Sequence, residues 1–276
     1  MKKIILELEN TIKENSDKTD SYKLNLLKNY LQVFALNFIY SDKKYGNLVF
    51  YGGSVLSQCY SLPRLSEDLD FVDLSGQIKI DNLAESLKMY FEKEIGLSVA
   101  TKIQKFRIYL KFPILRQLGI ANDSQSDWLY LKVEIFDGSD FCKKHKTEIR
   151  PLFKFNLSML IKTFDLPTLM ATKIRAILHR KWEKINKKGD VLISVKGRDY
   201  FDLMWYLQKE VNLNLACVKE VENMEELRKK LSAIIDKIDS RSVVLDLENF
   251  IADKEFVKNL GKNIKDILKE EIKKLC

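Results

Sequence analysis

Two aspartates stand two residues apart inside an apolar run, Asp68-Leu69-Asp70-Phe71-Val72, and this spacing limits what the chain can fold into. The apolar members call for burial in a strand. Alternate strand residues point to one face, so Asp68 and Asp70 project together with Cα atoms about 6.5 Å apart. Like charges so placed repel unless a cation compensates. The pair therefore either lies at an exposed strand end or holds a cation. Upstream, Asn47-Leu48-Val49-Phe50-Tyr51 reads as a short strand ending on Gly52 and Gly53, with Ser54 next. Glycine lets the backbone turn sharply and approach a ligand. The N–H groups opening a helix over 54–61 can donate to phosphate oxygens. Ser54 adds a hydroxyl. Alone, Gly-Gly-Ser is an ordinary strand-to-helix turn. Joined to the aspartates, it points to a nucleotide's phosphates bridged by Mg²⁺.

The rest of the chain reads as helices around a mixed sheet. Residues 1–42 form two helices, the second with Leu24, Leu27, Tyr30, Leu31, Phe34, Ala35 and Phe38 at helical spacing. A strand covers 68–73, a helix 80–94, and two strands 97–103 and 106–112. A polar loop from Gly119 to Asp127 leads into strand 128–136. There Leu131, Val133 and Ile135 share one face, and Lys132, Glu134 and Phe136 the other. An acid inside an apolar strand is expensive unless paired, which makes Glu134 a candidate third carboxylate. The second half is mainly helical. Pro167 suits the first turn of a helix over 167–181. A lysine-rich loop over 182–196 precedes a helix from Arg198 to Leu207, and amphipathic helices cover 219–238, 243–252 and 254–275. The expected organisation is residues 1–150 as one domain, with 151–276 as a helical domain completing the site.

Composition narrows the function. No apolar run approaches the roughly 20 residues of a membrane span, and the first residues lack a cleavage site, so a cytoplasmic protein is expected. The cysteines, Cys59, Cys142, Cys217 and Cys276, form no Cys-x-x-Cys pair and are expected as buried free thiols. With only His145 and His179, a histidine-rich metal site is excluded and a Ser-His-Asp hydrolase is disfavoured. The net charge of +8 favours a polyanionic partner. Lys143, Lys144 and Lys146, with Lys181, Lys184, Lys187 and Lys188, are candidates for a basic surface, and Trp182 and Tyr200 for stacking on an unpaired base. For each of them an ordinary solvated or core position is equally open.

Two further constellations lie on the helices. Lys173 and Arg180 share a helix face at i, i+7. Lys196-Gly197-Arg198-Asp199-Tyr200-Phe201-Asp202 places Arg198 and Asp202 at i, i+4, where they can pair with each other.

The glycine turn and aspartate strand resemble the signature of the DNA polymerase β-like nucleotidyltransferase superfamily. Taken in order, Gly52-Gly53-Ser54, Arg64-Leu65-Ser66-Glu67-Asp68-Leu69-Asp70, Ala171-Thr172-Lys173 and Gly197-Arg198-Asp199-Tyr200-Phe201-Asp202 resemble the AbiEii/AbiGii abortive-infection toxin family over residues 50 to 207. The resemblance implies an α+β fold: a polymerase β-like mixed sheet with flanking helices and a helical C-terminal lobe. It implies a Mg²⁺- or Mn²⁺-dependent toxin that transfers NMP from an NTP to RNA, the tRNA 3′ end above all, and is countered by a cognate antitoxin. By carry-over, Asp68, Asp70, Lys173, Asp199 and Asp202 are catalytic. Asp68, Asp70 and Glu134 hold metal. Gly52, Gly53, Ser54, Arg64, Ser66, Lys173 and Arg198 bind the nucleotide or support its site. The alternatives are transfer to a small molecule or protein side chain, and an inactive nucleotide-binding module.

Overall fold

The computed structural model describes residues 2–180, 184–185 and 191–275, with the side chains of residues 2, 3, 184, 185, 191 and 192 outside the description. Two compact units emerge. The first comprises Met1–Ser61, Leu65–Phe141 and Thr147–Thr163; the second comprises Leu62–Arg64, Cys142–Lys146 and Phe164–Cys276.

The first unit is built on a seven-stranded mixed sheet. Its strands are β1 (Val49–Tyr51), β2 (Asp68–Asp73), β3 (Ala100–Gln104), β4 (Arg107–Pro113), β5 (Trp128–Asp137), β6 (Thr147–Lys154) and β7 (Leu157–Phe164). Their order is β3-β4-β5-β2-β1-β7-β6. β2 runs parallel to β5 and antiparallel to β1, while β1 runs parallel to β7. The aspartate strand is thus central, which explains the burial of its apolar members Leu69, Phe71 and Val72.

Helix α1 (Lys2–Glu14) is followed by α2 (Asp20–Ser41), whose first turn is capped by the Thr19 hydroxyl accepting from the Tyr22 N–H at 3.2 Å. α2 packs on β5 and on α4 (Ile80–Tyr90). Helix α3 (Gly52–Cys59) leaves β1 directly and packs against β1, β2 and β6. Leu27, Leu31, Leu36, Phe50, Phe71, Phe91, Phe112 and Leu131 fill the core, all fully buried.

Strands β6 and β7 stand where periodicity suggested no strand. Their two-residue turn, Phe155-Asn156, has φ of 52° and 58°. Both residues lie in the left-handed region that hairpin turns demand, without the usual glycine. Pro151 further disguises β6, and an edge strand tolerates it.

The second unit is helical: α5 (Leu166–His179), α6 (Gly197–Gln208), α7 (Met224–Ile235), α8 (Ser240–Leu247) and α9 (Lys254–Lys273), with a two-stranded ribbon of β8 (Lys184–Ile185) and β9 (Val191–Ile193). Asp165 caps α5 by accepting from the Thr168 N–H at 3.0 Å. Helix α6 packs on α5, α8 and α9, and buries Phe201, Leu203 and Leu207. Cys142 and Cys217 form a disulfide, their Cα atoms 5.3 Å apart and 75 residues apart in sequence. This corrects the expectation of free thiols: sequence separation hides spatial proximity. Cys59 is a free thiol, pushed up to about 12 by burial. Cys276 lies outside the described residues.

Gly197 opens α6 against α8, and a Cβ there would lie 2.8 Å from the Val243 Cα and carbonyl oxygen. Backbone cannot yield as a flexible side chain can. Gly197→Ala is therefore expected to cost about 1–3 kcal/mol, read as a melting temperature lowered by several degrees in calorimetry.

Candidate active site

Strand register assembles the carboxylates of the first unit. Tyr51 stands opposite Asp70, Asp70 opposite Glu134, and Glu134 opposite Arg107. One row therefore crosses β1, β2, β5 and β4 on a single face. The next row sets Asp68 opposite Lys132, and Lys132 opposite Tyr109.

Lys132 answers the crowding of charge on this face. Its Nζ lies 2.9 Å from both Asp68 Oδ2 and Glu134 Oε1. Arg107 Nε donates to the same Glu134 oxygen at 2.7 Å, and its guanidinium sits 4.6 Å from the centre of the Phe106 ring. Burial alone would lower the Lys132 ammonium, but Asp68 and Glu134 hold it above the usual lysine value. Burial pushes the Asp68 carboxyl up, against the pull of Lys132. Among the described residues, no group of three or more His, Cys, Asp or Glu side chains gathers as a metal site.

The glycine turn abuts this row. Gly52 has φ +79°, and a Cβ there would lie 2.4 Å from Asp70 Oδ2. Any side chain would meet both backbone strain and the carboxylate. Tyr51, which precedes α3, makes no side-chain capping hydrogen bond to its first turn. Ser54 is fully buried, and its Oγ has no hydrogen-bond partner among the described residues. Such an orphaned hydroxyl costs about 1–3 kcal/mol, and a phosphate oxygen would satisfy it. Hard carboxylate oxygens, a helix start with no cap from the Tyr51 side chain and the Ser54 hydroxyl are the kinds of group that a cation and a phosphate use. Ser66, also offered as a nucleotide contact, is buried, and its carbonyl accepts from Gln32 Nε2 at 3.0 Å. Gly53, at the second position of α3, is half-buried.

The second unit gathers a different charge cluster. Arg64 forks onto Asp202, Nε to Oδ1 at 2.6 Å and Nη2 to Oδ2 at 2.7 Å. Lys173 on α5 reaches Asp199 Oδ1 and Asp202 Oδ2, each at 2.8 Å. Arg180, just after α5, pairs with Asp199. The shared face expected for Lys173 and Arg180 thus converges on one carboxylate. Burial opposes ionisation of both acids, but Lys173 and Arg180 hold Asp199, and Arg64 and Lys173 hold Asp202, below the usual carboxylate range. Burial likewise opposes charge on Lys173, and the two aspartates keep it above its ordinary value. Arg198 pairs with Asp246 at 3.2 Å and lies 3.9 Å from the centre of the Phe250 ring.

Lys132 and Arg107 join the site only through strand register, although Lys132 shares Glu134's strand face. Lys196 opens the stretch that runs to Asp202 and carries no signal of its own in the sequence. Burial and the neighbouring Arg198 and Arg180 lower it to about 8. Tyr200 is buried, which removes the open ring face that stacking needs. Lys143, Lys144 and Lys146 are exposed. Lys181, Trp182, Lys187 and Lys188, and the side chain of Lys184, lie outside the described residues.

The sign of the pH dependence follows from Asp199 and Asp202. Their folded values lie below the unfolded value of about 4. Below that pH the unfolded chain binds protons that the folded state resists, so stability present above about pH 4 is lost as pH falls. The melting temperature should change little from pH 8 to 5 and then drop on acidification. Arg64→Ala leaves Asp202 with one cation fewer and should cost about 3–5 kcal/mol at neutral pH, measured by calorimetry across that range.

The chain is similar to proteins of one known family. The family described as nucleotidyl transferase AbiEii toxin, type IV TA system, matches residues 39–273. No curated protein matches the chain. Among solved structures, MenT4, a nucleotidyltransferase toxin from Mycobacterium tuberculosis, is 11% identical with TM-score 0.56, over 98% of this chain and 90% of that one. At that identity it speaks for the fold alone. JHP933 from Helicobacter pylori is 18% identical over 91% of this chain and 94% of its own, at TM-score 0.48. A match across most of the chain, on a mixed sheet that carries the expected glycine turn and aspartates, places it among its relatives: the chain belongs to the AbiEii family of nucleotidyltransferase toxins of type IV toxin–antitoxin systems.

Proposed function

We propose that the protein transfers NMP from an NTP to the 3′ end of tRNA and so blocks translation, with a cognate antitoxin as its counterpart. The observation that carries this reading is Asp70 lying against Gly52, where a carboxylate face meets a helix start able to receive phosphate. In the reaction, a bond forms between the acceptor hydroxyl oxygen and the α-phosphorus. The bond to the β,γ-pyrophosphate breaks, and the hydroxyl proton leaves to a base or water. Asp68 and Asp70 are the residues that would hold Mg²⁺ or Mn²⁺. A divalent cation, when bound, neutralises the triphosphate and the departing pyrophosphate.

The chain's own groups divide the remaining work. Gly52 and Gly53 allow phosphate to approach the backbone, and Ser54 donates its hydroxyl. Lys173 offers a fixed ammonium to phosphate. Asp199 and Asp202 orient it; held below the usual carboxylate range, they are weak proton acceptors. Arg64 braces Asp202, and Arg198 supports α6 through Asp246. The surplus positive charge and the exposed Lys143, Lys144 and Lys146 favour a polyanionic acceptor. None of the described helices is long and apolar enough to cross a membrane.

Purified protein incubated with Mg²⁺, each α-labelled NTP in turn and total tRNA should place label in tRNA. Asp68→Ala and Lys173→Ala should each lower the rate at least 100-fold while retaining the fold by circular dichroism. Label appearing in a small molecule or in protein, and never in tRNA, would overturn the RNA acceptor.

A further inference from the structure

Glu134 was offered by its strand position as a third metal-binding carboxylate. Its surroundings suit another task. Two cations converge on its Oε1, Lys132 at 2.9 Å and Arg107 at 2.7 Å, and the residue is only 6% exposed. Asp68 is the more accessible of the two carboxylates that Lys132 bridges, with a side chain 32% exposed against 9% for Glu134. To take a cation, Glu134 would have to release a guanidinium and an ammonium already at contact distance. A second divalent ion beside Lys132 would also meet like charge at short range.

Building on the proposed nucleotidyl transfer, we infer that Glu134 is a positioning residue rather than a metal ligand. It fixes Lys132, together with Arg107, as a resident positive charge on the carboxylate face. The face then takes a single divalent cation, through Asp68 and Asp70. Lys132 stands where a second cation would otherwise be needed. Its ammonium, held by Glu134, would face a bound phosphate as a fixed positive charge.

The test counts bound Mn²⁺ by electron paramagnetic resonance, with a non-hydrolysable NTP analogue present, in the wild type, Glu134→Gln, Lys132→Met and Asp70→Asn. The expected result is one Mn²⁺ per chain in the wild type. Glu134→Gln should keep the Mn²⁺ dissociation constant within about threefold, while Asp70→Asn weakens it at least tenfold. Lys132→Met, which removes a cation from the face, should tighten Mn²⁺ several-fold and tests the same point if Glu134→Gln folds poorly; weaker Mn²⁺ binding in it overturns the inference. Two Mn²⁺ per wild-type chain, or a loss in Glu134→Gln as large as in Asp70→Asn, overturns the inference while leaving the proposed transfer standing. Unaltered Mn²⁺ binding in Asp70→Asn overturns both, because the metal then does not sit on this face.

Discussion

Two like charges on one face of a central strand cannot stand alone, and much of the first unit answers that constraint. Asp68 and Asp70 sit on β2 with paired strands on both sides, so neither can retreat to an edge. The sheet replies with Lys132 from β5, bridging Asp68 and Glu134, and with Arg107 from β4. The turn replies with Gly52, whose missing side chain leaves room for the Asp70 carboxylate. Strand register decides all of these contacts. A one-residue slip of β2 would carry Asp68 and Asp70 to the opposite face, away from Glu134 and Lys132.

The second unit handles buried charge differently. Asp199 and Asp202 share the first turn and a half of α6 and are almost wholly buried. Three cations, from Arg64, Lys173 and Arg180, surround them. Buried ion clusters of this kind contribute little net stability relative to apolar packing, but losing one member is costly. Their value here is positional. Lys173 reaches two carboxylates at once, which fixes its ammonium where a flexible lysine would otherwise wander. Under the proposed function, an ammonium fixed in this way would lose less entropy on meeting a phosphate.

The parts of this design written in local pattern were legible in the sequence. The glycine turn, the strand over 68–73 and the shared face of Lys132, Glu134 and Phe136 follow from periodicity two and from glycine's backbone freedom. Helical spacing likewise put Lys173 and Arg180 together, and both reach Asp199. What depended on pairing between distant segments was not legible. Nothing in the sequence says that Arg64 meets Asp202 across 138 positions. Nor does it say that Cys142 meets Cys217, or that Arg107 stands opposite Glu134. The hairpin of β6 and β7 escaped notice for a different reason. Phe155 and Asn156 adopt left-handed backbone without glycine, so the customary turn signal is missing.

The central claim is that the Gly52 turn and the Asp70 face together bind a metal–nucleotide complex. Equilibrium binding of a labelled NTP, measured with Mg²⁺ and then with EDTA in the wild type and in Gly52→Ala, tests it most directly. The account predicts Mg²⁺-dependent binding that falls at least tenfold in the folded variant, because the added methyl displaces the Asp70 carboxylate. Binding of equal strength with EDTA, or in Gly52→Ala, would contradict it.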